Sequence, residues 1–342
     1  MKKRVVQRQI DHQYHSVSPK LLQVGSKIDF DCYIKRFNGY VIIIESGSEI
    51  SEALYKKVCT HAHIYIEHSQ RERFDRYCEA HPQEETSEET DLHKESAECG
   101  VPVAELAEKI AGTGAVNERI RLLYGSGLEL MKRCFATEEN ELPVAELTQY
   151  AKLLSEFVVK QQYHIREFLT RMPALYSEPS HALNVSILAT ILGKALNMTS
   201  RQLDDIALAG LLLDIGKRKV DAKILGKPLG LDTEEWEKMQ AHVVMGIELL
   251  RASRINTPQI LSAIRYHHER LDGSGYPNGL VGNQIPVMAQ ILGVCDVFDA
   301  LTTERTYRVR YSSFEALKLM KHEMGREINT LYVDHLIRLL SK

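Results

Sequence analysis

The hydrophobic period changes once along this chain, and that change limits the folds open to it. From Leu21 to Glu67 the pattern is extended: Lys27 to Ile34 alternates, and Tyr40 to Ile44 is a dense β-branched run between Asn38-Gly39 and Gly47. Asn38-Gly39 between two such runs is a hairpin signal. Glu49 to Cys59 predicts a short helix, and His63 to Glu67 a further strand. The stretch from Glu79 to Glu98 then loses almost all large apolar residues and gains acidic ones, the composition of a linker or a solvated helix surface. Beyond it the spacing becomes about 3.6. Ile120, Leu123, Tyr124, Leu128 and Met131 mark Val116 to Phe135 as a helix, and Pro143 to Leu169 continues helically through Leu147, Tyr150, Leu154, Phe157 and Val158. From Pro179 onward, Val185 to Leu196, Ser200 to Leu213, Asp232 to Leu250, Pro258 to His268, Met288 to Leu301, Ser313 to Met324 and Leu331 to Leu340 all read as amphipathic helices, and none as a strand.

The expected fold class is therefore α+β, with a small β-rich N-terminal module followed by an all-α domain. The boundaries read as a β-rich regulatory module over 1–75, an acidic linker over 76–100, a helical connector over 101–142 and the helical domain over 143–342. Two or three domains suit 342 residues at roughly 100 to 200 residues per domain. Pro143 to Leu169 is long for one globular helix. Two readings stand open for it: a dimerising or signal-transmitting helix, or a plain packing helix. A homodimer through the helical connector is the matching expectation for partners.

Charge and composition exclude several classes. With 43 Lys+Arg against 46 Asp+Glu the formal charge is -3, too balanced for a general binder of nucleic-acid polymers, which needs a basic surplus on one face. No run approaches the ~18 apolar residues of a membrane span, and the basic start is followed by no apolar signal region, so a cytoplasmic location without membrane insertion is expected. The 6 cysteines have no CxxC spacing, as reduced thiols would, and suggest no thiolate metal site. His61, His63 and His68 look like a ligand cluster, but His61 and His63, at alternate positions on a strand edge, read as solvent-facing.

In the helical half, His181, Asp214, His242, His267, His268 and Asp296 lie in or beside apolar segments. Imidazole and carboxylate together suit Fe, Mn, Zn, Ni or Co better than Mg or Ca. An Asp can bridge two ions, and two ions can hold a phosphodiester and present a hydroxide in line with its leaving group. Asp214 sits in LAGLLLDIGKRKV, where an unpaired carboxylate is costly. Lys217 shares its helix face and could steer a phosphate or simply cap the helix. His267-His268 precede the glycine-dense loop Asp272 to Gly279, where backbone can approach a ligand and Tyr276 can stack on a base.

The stretch HHERLDGSGYPNGLVGNQIP followed by CDVFDALTTERTYR resembles the hallmark of the HD-GYP family of cyclic-di-GMP phosphodiesterases, a subgroup of the HD metal-dependent phosphohydrolases. The resemblance covers roughly His181 to Met324. It implies an all-α fold, a site with one or two divalent ions, Fe or Mn first and Zn, Ni or Co as alternatives, and hydrolysis of cyclic-di-GMP to pGpG or GMP. It also implies His181, Asp214, His242, His267, His268 and Asp296 as metal ligands, Asp214 and Lys217 as catalytic groups, and Lys217, Tyr276, Arg305 and Arg308 as substrate contacts. Protein partners of a signalling pathway follow from the same likeness. The β-rich module weakly resembles the small domain often found ahead of the HD-GYP domain.

Three departures accompany the match. The family's LLHDIGK reads LLLDIGK, so Leu213 stands where a metal-binding His is expected. Ser177 stands where a third metal would need a Glu, and Glu178 beside it precedes Pro179, which biases it away from helix; a trinuclear centre is not expected. The ARI stretch reads Ala289-Gln290-Ile291, without its Arg. Leu213 therefore motivates an alternative to the phosphodiesterase, namely a catalytically degenerate module that binds cyclic-di-GMP or a protein.

Overall fold

The alternating N-terminal pattern becomes a four-stranded antiparallel sheet in the computed structural model, which describes residues 14–36, 39–59, 64–81, 100–137, 141–161, 165–173, 176–227, 231–304 and 310–341. Its strands β1 (Tyr14–Val17), β2 (Cys32–Arg36), β3 (Gly39–Ile44) and β4 (Ile64–Glu67) run in the order β1-β4-β2-β3. Alternation sends Cys32, Ile34, Ile44, Ile64 and Ile66 to one buried face. There helix α2 (Arg71–Ala80) adds Phe74 and Tyr77 to the cluster that holds Cys32, Ile44, Ile64 and Ile66. Helix α1 (Glu52–Val58) starts at Ser51, whose hydroxyl accepts the Leu54 N–H. The expected strand over Lys27 to Ile34 begins only at Cys32, with Lys27 in an isolated bridge to Glu49. Strand β1 lies ahead of the predicted extended region. Arg36 pairs with Gly39 as a hairpin requires, while Asn38, His61 and His63 lie outside the described residues.

Contacts divide the chain into two compact units, one holding the sheet with α1 and α2 and the other holding the remaining helices. The second unit opens with α3 (Val103–Gly112), α4 (Val116–Ala136), α5 (Val144–Lys160) and α6 (Ile165–Leu169). The predicted helix over Pro143 to Leu169 is thus two, because Gln161 leaves helical geometry. The proposed connector over 101–142 is not a separate element: α4 buries Leu123 to Leu128 without interruption inside this unit.

The centre of the unit is α7 (Glu178–Ala195), buried continuously from Ser180 to Gly193, as a helix apolar on all sides must be. It packs against α4, α5, α8 (Ser200–Leu212) and α13 (Val287–Thr302). Between α8 and α13 run a 3-10 turn Ile215–Lys219, α9 (Ala222–Leu225), α10 (Thr233–Gln240), α11 (His242–Ala252) and α12 (Pro258–Arg265). Helices α14 (Ser313–His322) and α15 (Thr330–Leu340) close the chain. The predicted helix over Asp232 to Leu250 breaks at Ala241 into α10 and α11. Glu178 corrects another expectation. It is the first residue of α7, since Ser177 caps the helix and Pro179 sits in the first turn, where no intrahelical N–H is needed. No helix among the described residues is long and apolar enough to cross a membrane.

Candidate metal centre

Asp214 leaves the end of α8 and enters the 3-10 turn, carrying a buried carboxylate to a point that three other segments approach. His242 starts α11, His267 and His268 follow α12, and His181 lies one turn into α7. Two glycines permit the approach. A Cβ on Gly216 would overlap the carbonyl oxygen of His242, and one on Gly293 would lie 2.6 Å from that of His267.

Hydrogen bonds settle which ring nitrogen each histidine offers. His242 Nδ1 lies 2.6 Å from Met239 O, and His267 Nδ1 2.6 Å from Ile264 O. A carbonyl oxygen only accepts, so both Nδ1 atoms carry the proton and both Nε2 atoms turn a lone pair inward. Those lone pairs face Asp214 Oδ1 at 3.1 and 3.8 Å. All three atoms are buried without a hydrogen-bond partner. Lone pairs directed at a carboxylate in a dry interior repel unless a cation stands among them. The ligand atoms of Asp214, His242, His267 and His268 lie within 4.8 Å of one another; this donor set fits a borderline divalent ion.

The other carboxylate oxygen, Asp214 Oδ2, faces His181 Nε2 at 3.4 Å and Lys217 Nζ at 2.7 Å. His181 Nε2 is also 3.2 Å from Asp296 Oδ1, and Asp296 Oδ2 is 3.7 Å from His268 Nδ1. Burial alone would raise the Asp214 carboxyl, but the Lys217 ammonium beside it, with the His181 imidazole, holds it well below the usual range. Burial likewise opposes a charged His181, yet Tyr176 and hydrogen bonds to Asp214, Asp296 and Asp299 carry it well above the ordinary value. His268 moves the other way, pushed well down by burial.

Lys217 Nζ also donates to Glu178 Oε2 at 3.1 Å and to the Tyr176 hydroxyl at 3.3 Å. Its three donor positions are thus used within the site. Tyr276 stacks on His268, with ring centroids 4.6 Å apart, and Trp236 of α10 meets its ring edge-on at 5.9 Å. Arg305 and Arg308 lie outside the described residues.

Residues 162–329 match the family model of the HD domain. With the GYP loop seated against this cluster, the type is decided. These residues form an HD domain with a GYP loop. The 3'3'-cGAMP-specific phosphodiesterase 2 of Vibrio cholerae is 35% identical over 159 residues, 46% of this chain and 30% of that protein. The cyclic di-GMP phosphodiesterase response regulator RpfG of Xanthomonas campestris is 38% identical over 156 residues, 45% of this chain and 41% of that one. The chain thus spans less than half the length of these curated relatives. The solved structure of Bd1817, a HDG"Y"P protein from Bdellovibrio bacteriovorus, shares the fold, with a TM-score of 0.57 at 16% identity over 96% of this chain and 100% of that one.

Several residues of the HD-GYP site are ones that sequence reasoning passed over. Asp299 Oδ2 holds His181 Nδ1 at 2.7 Å. Glu269, buried, accepts the backbone N–H of Asn278 at 2.7 Å and of Leu280 at 2.9 Å, pinning the GYP loop. A signal for Asp299 existed: it is a second carboxylate inside the apolar run CDVFDAL, as anomalous there as Asp214 is in its own helix. Gln290, which replaces the family's Arg, is engaged with Ile285 O and Asn329.

Proposed function

We propose that the chain is a divalent-metal-dependent phosphodiesterase that hydrolyses cyclic-di-GMP to pGpG or GMP. The observation that carries this reading is the group of buried, unpartnered inward atoms on Asp214, His242 and His267. Asp214, His242, His267 and His268 would hold one ion, and His181, Asp214 and Asp296 a second, with Fe or Mn the preferred metals and Zn, Ni or Co able to replace them. Such ions, when bound, supply Lewis-acid stabilisation of the phosphate and a water acidified to hydroxide. The protein's own groups do the rest. Asp214 presents one oxygen to each half of the site. Lys217, held by Asp214, Glu178 and Tyr176, keeps an ammonium beside the phosphate position. Tyr276, backed by His268 and flanked by Trp236, offers an aromatic surface to a purine. Arg305 and Arg308 would neutralise phosphate charge.

The names of the relatives support a cyclic dinucleotide as the substrate class. The test is to load purified protein anaerobically with Mn(II) or Fe(II) and follow cyclic-di-GMP, with 3'3'-cGAMP in parallel, by chromatography. Turnover that disappears in His267→Ala is the expected result. Leu213 favours a second reading, a module that binds the dinucleotide without cleaving it. Binding by calorimetry with no turnover across metals would select that reading.

A further inference from the structure

His181 differs from His242 and His267 in what holds its Nδ1. Those two rings use backbone carbonyls three residues away, whereas His181 uses the Asp299 carboxylate from another helix. The bonding continues inward. Asn184 Nδ2 donates to Asp299 Oδ1 at 2.8 Å, and the Tyr124 hydroxyl donates to Asn184 Oδ1 at 2.8 Å. Tyr124, Asn184 and Asp299 are each at most 2% exposed. The direction of every bond is fixed: hydroxyl to amide oxygen, amide N–H to carboxylate, imidazole N–H to carboxylate. His181 therefore keeps its proton on Nδ1 and donates it to Asp299, and Nε2 is the nitrogen turned to Asp214 and Asp296. Tyr124 belongs to α4, which lies ahead of the region 162–329 matched by the HD model.

We propose that Asp299, Asn184 and Tyr124 are positioning residues that hold His181 Nε2 toward Asp214 and Asp296, making helix α4 a working part of the metal centre. The inference rests on the metal reading above. Leu213 supplies no imidazole, so orientation of His181 weighs more in this half of the site. Loss of a carboxylate behind a metal-binding imidazole typically lowers metal affinity about 10- to 100-fold.

The test titrates the full chain with Mn(II) anaerobically, comparing wild type with Tyr124→Phe, Asp299→Asn and Asp299→Ala, and records circular dichroism melts of each. Asp299→Asn keeps an acceptor for Nδ1–H, and Asp299→Ala does not. The expected affinity order is wild type, Asp299→Asn, Asp299→Ala, with the last weakened about 10- to 100-fold and Tyr124→Phe weakened by a smaller factor. Tyr124→Phe removes one hydroxyl and keeps the ring, so it carries the test if the Asp299 variants fail to fold. Lower melting temperatures with unchanged Mn(II) affinity would mean a purely structural chain and would overturn the inference alone. A wild-type protein that binds no Mn(II) would overturn the metal reading and the inference together.

Discussion

Asp214 serves two neighbourhoods through its two oxygens, and the residue before it decides how well the second is furnished. Leu213 is buried at the end of α8 and brings no donor. Leu213→His should raise the metal bound per chain and increase turnover at least about tenfold, at a stability cost of about 1–3 kcal/mol before metal is added. Elemental analysis of anaerobically prepared protein beside an activity assay checks this; unchanged metal content would show that the missing imidazole is not limiting. A second expectation concerns thiols remote from the site. Burial pushes the Cys134 thiol up to about 11 and the Cys32 thiol up to about 12. The folded chain thus keeps protons that the unfolded chain releases near its ordinary thiol value, so stability should fall as pH rises from about 9 toward 11, by at most about 1.4 kcal/mol per pH unit for each group. Urea unfolding across that range, with Cys134→Ala showing a shallower slope, is the measurement; a slope identical in the variant would refute it. The clustered histidines were legible because donor side chains in apolar segments are anomalous one residue at a time. Tyr124 was not, since its ring suits a core position and only the partner of its hydroxyl, 60 residues away, reveals more.

At the scale of elements, the GYP loop shows how short backbone segments are held in place. Glu269 takes two backbone N–H groups from the loop that carries Tyr276. Glu269→Ala strands both donors, at about 1–3 kcal/mol each. The expected outcome is a lower melting temperature and a raised KM for the cyclic dinucleotide, with a smaller change in kcat; an unaltered KM would argue that the loop keeps its shape by other means. Helix existence was readable from spacing from α4 onward for the longer helices, but α2 and α3 were not predicted and two breaks were passed over. Gln161 and Ala241 interrupt stretches whose apolar stripe simply continues, so periodicity passes over the break. Strand β1 escaped because it is a four-residue segment whose pairing with β4 is set at long range. Pro179 misled for a definite reason: a proline inside the first turn supports a helix that the same proline one turn later would break.

At the scale of the molecule, two cores are present, and the larger extends beyond the matched HD region. Expressed alone, residues 100–342 should melt in one cooperative transition and bind Mn(II) as the full chain does. A fragment starting at residue 162 should be poorly soluble, because α7 would lose its packing against α4 and α5. Differential scanning calorimetry and solubility of the two fragments check this, and a soluble shorter fragment would contradict it. The α+β division was plain from the change of period, whereas the membership of α3 and α4 in the larger core was hidden, since amphipathicity tells that a face is buried but not against what. The two ways of fixing an imidazole have a consequence for inheritance. Carbonyls of residues 239 and 264 exist whatever side chains stand there, so the His242 and His267 half of the centre is buffered against mutation. The His181 half relies on three separate side chains, each removable by a single codon change. Under genetic drift that fragile half should erode first, and it is the half in which Leu213 stands without a donor to give.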